Sequence, residues 1–335
     1  MRAVLVPLEI DPSPPPPGSR PLALSGVAMG SAWSARLMLP AGVDADLQAE
    51  LDAVMAQMSH WDETSLLARY NRAPAGSWHA LPPQFFAVID YALAVWESSG
   101  GAYDPAAGAL VNLWGFGPAG RYDQAGFYAP AAEAIAAVLA VRRSAQPVLD
   151  RAGRRLLQPG GAVLDLSAVA KGYAVDCLAA CLQRHGIHHY LVEAGGELRG
   201  AGVKADGQPW WVAIEGVPDS DSGAAGQPLL ALHGLAVATS GDYRRFFSQA
   251  GQRRSHTLDP RSGQPIANGV ASVTVVAATC MAADALSTAL TVLGPQAGLA
   301  HAERHGIAAR LLLRGDGAAG AITELHSAAW RALLQ

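Results

Sequence analysis

Cysteine, lysine and charge of either sign are all scarce in this chain, and each shortage excludes something. Three cysteines among 335 residues, Cys177, Cys181 and Cys280, are too few and too odd in number for a disulfide scaffold. Charged residues are only 16% against an apolar half, so the chain can build a sizeable core and its bulk cannot be disordered. The 24 basic and 28 acidic residues give a net charge of −4, without the Lys/Arg block that a nucleic-acid binder needs. No nucleic-acid partner is expected. Long apolar runs are also rare. The one at 269–294 is long enough to span a bilayer, but Asp284 in its middle would cost about 2.5–3.5 kcal/mol there. Its β-branched part, 270–276, reads as a strand and 281–293 as a helix, so no membrane span is expected. The N-terminus shows neither a signal-peptide pattern nor a cysteine to carry lipid. The chain as sequenced is expected to be cytoplasmic, or periplasmic if an export segment is missing.

What is present is an interleaving of strands and helices with no regular βαβ period and no solenoid repeat, which predicts an α+β fold. The text DPSPPPPGSRP at 11–21 predicts a flexible proline-rich tail over 1–21, with one domain over 22–335. Strand character runs over 22–39 with an interruption at Gly30. Helices are predicted over 43–58, 82–99, 131–142, 168–185, around Asp284 and near 296–305. Strands are predicted near 146–149, 163–166, 190–194, 198–203, 210–215, 229–233, 270–277, 309–314 and 321–326, with a surface loop at 220–226.

Several segments can carry chemistry. DLSAVAKG, 165–172, joins a predicted strand to a helix start, where exposed N–H groups and the Lys171 ammonium suit a phosphate and Asp165 suits a sugar or amide. Lysine occurs only at 171 and 204, so a compact ammonium at 171 stands out; an ordinary solvent-facing lysine is the alternative. Asp284 and Thr288 sit four residues apart on one helix face and offer hard oxygen ligands for Mg²⁺. The alternative is a threonine bonded back to its own helix and an aspartate paired with an arginine. His256, in RRSHTLDPRSGQPI, offers acid–base chemistry near neutrality. Cys177 and Cys181 read as small core residues. The glycine-rich stretches 193–202 and 238–243 allow a backbone to approach a ligand. GAYDPAAGALVNLWGFGP, 101–118, and Trp61 suit walls around a flat ligand, or ordinary core packing.

Taken in order, MGSAW, MSHWDETSLLARYN, GAYDP with VNLWGFGP, LDLSAVAKGYAVD, LVEAGGELRGAG, ATSGDY, SHTLDPRSGQPI and CMAADALSTAL resemble the ApbE-type flavin transferases, from about Met29 to Leu293. The resemblance implies an ApbE-like, T-fold-like α+β domain. It also implies an enzyme that splits the pyrophosphate of FAD, moves the FMN half to a threonine or serine hydroxyl of an acceptor protein, and releases AMP. By the same resemblance Met29, Trp61, Ala102, Tyr103, Asp104, Asp165, Lys171 and Leu258 contact FAD. Asp284, Thr288 and the carbonyl of Ala168 hold Mg²⁺, and His256 is the base. Trp61 stands where tyrosine is common, Glu197 replaces the aspartate of GGD, and Met281 stands where some members have an acidic ligand. Two other readings stand beside it: hydrolysis of FAD without a protein acceptor, which needs the same metal site, and flavin binding without catalysis, which is expected of a degraded metal site.

Overall fold

The structure, a computed structural model, describes residues 3–44, 46–217, 227–243, 245–249, 251–315 and 322–334. The loop expected at 220–226 lies outside them. The α+β architecture is as expected, and its contacts group into two compact units threaded through each other in sequence. The first comprises Met1–Asp52, Lys171–Gly241 and Gly269–Gln335; the second, Ala53–Ala170 and Asp242–Asn268.

The first unit is built on an antiparallel sheet of eight strands. In spatial order they are Ile322–His326, Ala308–Arg314, Val270–Ala277, Leu235–Gly241, Glu197–Ala201, Tyr190–Ala194, Ser31–Leu39 and Arg20–Ala28. The first two strands in sequence form a hairpin whose two-residue loop, Met29-Gly30, has φ of 53° and 70°. Positive φ at both positions is the turn that matches strand twist, and a methionine there is strained where glycine is not. Val270–Ala277 is buried along nearly its whole length, which accounts for its unbroken apolar text. Leu235–Gly241 is not predicted as a strand; its 238–241 end reads only as part of a glycine-rich stretch that lets a backbone approach a ligand. It is instead an inner strand, because Ala236 and Ala238 are small enough for the helix Cys280–Arg304 to pack closely over it. That helix is capped by Thr279, whose side chain accepts the Ala282 N–H at 3.3 Å. Gly294, with φ of 81°, and Pro295 kink it, so the two predicted helices are two arms of one element.

The expected flexible tail needs correction. Val4–Leu5 pairs in parallel with Leu229–Leu232, and Leu5 is wholly buried beside Ile214, Leu230 and Trp330. An apolar pair at a chain end docks wherever an open strand edge offers it hydrogen bonds and burial; the proline run behind it stays largely exposed.

The second unit holds the helices Leu66–Asn71, Pro83–Ser98, Gly108–Leu113 and Ala132–Ser144 and a sheet ordered Ser77–Ala80, Arg155–Gln158, Val148–Asp150. Two small pairs, Phe246–Gln249 with Gln252–Ser255 and Leu258–Asp259 with Gln264–Pro265, complete it. Its aromatic core gathers Leu110, Trp114, Phe116, Ile135 and Leu258. The strand expected at 163–166 is reduced to one bridge, Val163 to Ala107, because Leu164 bonds through both backbone groups to the Asn71 side chain and Asp165 N–H goes to the Pro105 carbonyl. All three cysteines are free and buried. No helix among the described residues is long and apolar enough to cross a membrane.

In the first unit the helix Ala170–Arg184 meets Cys280–Arg304 at Gly172. A Cβ there would collide with the Cys280 carbonyl and stand 2.8 Å from the Asp284 Cβ. Gly172→Ala is therefore expected to cost about 1–3 kcal/mol, as overpacking does. Chemical denaturation measures this, and an unchanged midpoint would mean that the helices part without strain.

Candidate active site

Glycine at 172 lets its backbone N–H donate to Asp284 Oδ2 at 3.0 Å. Asp284 is 4% exposed, and burial raises its pKa against the pull of Lys171 and of this hydrogen bond. One turn on, Thr288 Oγ1 lies 3.0 Å from Ser240 Oγ, so its hydroxyl is bonded across to the sheet and not back into its own helix. Asp284 has no arginine partner among the described residues, and both bland alternatives for this pair fall away.

Lys171, on the first turn of Ala170–Arg184, makes an ion pair with Glu197 Oε1. Glu197 follows the turn Gly195-Gly196 between two strands of the sheet and is itself 5% exposed. Its other oxygen, Oε2, is buried and accepts no hydrogen bond. Burial pushes the Glu197 carboxyl up to about 7; the Lys171 charge opposes this and the Asp284 charge adds to it. One ammonium thus stands against two buried carboxyl groups, which leaves an excess of one negative charge when both are ionised, and one oxygen is orphaned. Hard oxygens with unmet charge are what a divalent cation such as Mg²⁺ requires. No group of three or more His, Cys, Asp or Glu that could hold a metal clusters among the described residues. The donors present fit the ion. Met29 sits at the hairpin tip, and Gly195 beyond it is close enough for a Cβ to meet Ser31 Oγ at 3.0 Å and the Lys171 stem at 3.6 Å.

The remaining expected contacts lie in the second unit. Ala102 and Tyr103 are buried on the turn after Pro83–Ser98, where the Tyr103 N–H donates to Ser99 Oγ at 3.1 Å. The next residue, Asp104, accepts the Ala106 N–H at 2.7 Å and forms a buried ion pair with Arg142. Arg142 also donates to the Pro260 carbonyl at 2.6 Å, which ties this turn to the segment bearing Leu258. The Asp104 carboxylate therefore braces the turn that carries Ala102 and Tyr103. The Asp165 N–H donates to the Pro105 carbonyl at 2.8 Å, bringing 165 beside 102–105. Its carboxylate accepts the Ser167 N–H at 2.8 Å and faces His60 Nδ1 at 3.6 Å. Trp61, whose ring centre is 5.2 Å from that of His60, is 49% exposed, as an aromatic wall for a flat ligand must be. Ala168 is half-buried on the turn after Asp165.

His256 follows the strand Gln252–Ser255, with its ring edge-on to Phe116 at 6.3 Å. Its backbone N–H and its ring Nδ1 both meet the Arg245 carbonyl, at 3.1 and 2.9 Å. A carbonyl only accepts, so Nδ1 carries the proton and Nε2 the lone pair, the tautomer that a base needs.

Sequence reasoning missed three parts of this arrangement. Arg142 carries no motif, and Ser240, though within ATSGDY, does not stand out there; their roles arise only from tertiary contact. Glu197 stood out in sequence merely as a departure from GGD; its pairing with Lys171 became visible only once strand and helix were placed.

A model of the ApbE family matches residues 29–311. Among relatives, the FAD:protein FMN transferase of Vibrio cholerae is 38% identical over 300 residues, covering 88% of this chain and 87% of that protein. That of Klebsiella pneumoniae is 36% identical, covering 91% and 88%. Among solved structures, the apo flavinyl transferase ApbE of Pseudomonas stutzeri has a TM-score of 0.83 at 38% identity, covering 94% of this chain and 97% of its own. With the family model spanning both units and every candidate residue from Met29 to Thr288, this chain belongs to the ApbE family.

Proposed function

We propose that this protein is a Mg²⁺-dependent FAD:protein FMN transferase that modifies a threonine or serine hydroxyl of an acceptor protein and releases AMP. The reaction comes from the named activity of its relatives. The observation that carries it onto this chain is the buried, charge-deficient pair Asp284 and Glu197 facing Lys171.

In this reading Asp284 and Thr288, with the carbonyl of Ala168, hold the metal. When bound, the ion neutralises pyrophosphate oxygens and polarises the phosphorus, as a Lewis acid does. Lys171 adds a point charge for the phosphates, and Glu197 keeps its ammonium in place and charged. Trp61 and the backbone of 102–104 hold the flat parts of FAD, and Asp165 accepts hydrogen bonds from them. His256 Nε2 takes the proton of the acceptor hydroxyl, whose oxygen then forms a bond to the FMN-side phosphorus. The phosphoanhydride bond to the adenylyl half breaks, and AMP leaves with the electron pair. The ring held on the Arg245 carbonyl favours transfer over non-catalytic binding, since a binding protein has no use for a fixed tautomer.

The test is to incubate the protein with FAD, Mg²⁺ and a threonine-bearing acceptor, then weigh the products. The acceptor should gain the mass of FMN less water, AMP should appear in equal amount, and excess EDTA should stop both. AMP without a modified acceptor would instead make the chain a FAD hydrolase. His256→Ala should lose about 10²–10⁴ in transfer rate and still bind FAD. Near wild-type transfer by that variant would move the base elsewhere.

A further inference from the structure

We propose that Ser240 and Ser287 are positioning residues for the metal: with Thr288 they form a one-way chain of hydroxyls that draws the Thr288 proton away and leaves its oxygen free to bind a cation. This rests on the metal-site reading above and assigns a part to two residues outside the ligand set.

Ser240 is the last residue but one of Leu235–Gly241, where it pairs with Val273 of the neighbouring strand. Alternation along the strand puts it on the face of Ala236 and Ala238, the face that the helix Cys280–Arg304 covers. The first two members of this stripe bring only a methyl group, and the third brings a hydroxyl. It meets two side chains of the helix, Ser287 Oγ at 2.8 Å and Thr288 Oγ1 at 3.0 Å. Ser287 is 1% exposed, and Ser240 and Thr288 are half-buried.

The chain has a direction, and a carbonyl at its end sets it. A hydroxyl has one proton to donate and two lone pairs with which to accept; a carbonyl only accepts. Ser287 Oγ lies 2.9 Å from the main-chain carbonyl of Asp284, so its proton is spent there. Toward Ser240 it then only accepts, and Ser240 is the donor. That spends the Ser240 proton, so toward Thr288 it is Ser240 that accepts and Thr288 that donates.

This direction is the one a metal ligand needs. With its proton given to Ser240, the Thr288 oxygen keeps both lone pairs and carries no free proton to repel a cation. The reverse direction would occupy a lone pair and leave the proton loose. Successive donors also polarise one another, which makes the Thr288 oxygen more basic, as the outer partners of metal ligands do. The chain starts at one proposed ligand and ends on the main chain of the other, Asp284, so the two are held as a pair.

Mn²⁺ tests this in the whole chain without FAD, because electron paramagnetic resonance counts the free ion and needs no turnover. Ser240→Ala and Ser287→Ala should each raise the Mn²⁺ dissociation constant about tenfold. The two together should lose no more than either alone, since the chain fails at any one link. Thr288→Val leaves no hydroxyl to orient, so adding Ser240→Ala to it should change nothing further. Thr288→Ser keeps the hydroxyl, and in that background the loss of about tenfold should return. Equal losses from Ser240→Ala in the wild-type and Thr288→Val backgrounds would overturn the proposal, for they would make Ser240 a structural residue only. So would unchanged affinity in both serine variants while Thr288→Val binds weakly. Wild-type protein that binds no Mn²⁺, or a Thr288→Val variant that binds it equally well, would instead count against the metal site, and this proposal would fall with it.

Discussion

One ammonium and two carboxylates are buried together in the first unit, and that unit's other site residues are arranged around this deficit. Lys171 satisfies Glu197 and tempers Asp284, but a single positive charge cannot neutralise both. Taking a carboxylate out of water costs several kcal/mol unless charge and hydrogen bonds replace the solvent. The fold replaces some of it. Gly172 brings an N–H to Asp284 that any larger residue would push away, and Ser240 holds the hydroxyl of Thr288 one turn further on. What remains unmet is an oxygen of Glu197 and, with both carboxyls ionised, one negative charge.

The second unit solves a different problem, that of holding a loop rigid without secondary structure. The turn at 102–107 has neither helix nor ladder to fix it. Its carboxylate, Asp104, is clamped by a buried arginine that also grips Pro260, and its carbonyl at 105 receives the N–H of Asp165. Three stretches distant in sequence are thus locked to one another through two side chains and a backbone bond. Beside them His256 is aimed by a carbonyl, so both its orientation and its protonation pattern are set by the hairpin that precedes it.

Much of this was legible in the sequence. Helices with a plain apolar stripe and punctuated ends were placed closely: 43–58 is observed as Leu47–Met58, and 82–99, opened by proline and closed by two glycines, as Pro83–Ser98. The strand Val270–Ala277 and the helix bearing Asp284 followed from a change of period within one apolar run. Elements made of small or polar residues were hidden. LAVATSG carries no strand signal of its own because its burial comes from the helix packed on it, and FFSQ and QRRS alternate too briefly to be recognised as strands. Among site residues, sequence pointed to Asp284, Thr288, Lys171 and His256 by type and spacing. It could not tell that Asp104 is a brace or that Glu197 is the partner of Lys171, because ion pairs between residues 38 and 26 apart leave no local pattern.

Thermal unfolding with and without Mg²⁺ tests the buried deficit directly, comparing the wild-type protein and Asp284→Asn at pH 5 and pH 8. Glu197, raised from 4.5 to about 7, contributes stability that is present at low pH and lost as pH rises through that value. The metal-free wild type should therefore melt lower at pH 8 than at pH 5. Mg²⁺ should restore the loss at pH 8, since a ligand that binds only the folded state stabilises it. Metal-free Asp284→Asn, relieved of one buried charge, should be no less stable than the wild type and should gain nothing from Mg²⁺. A variant that is less stable without metal, yet is lifted by Mg²⁺ as much as the wild type, would contradict the account.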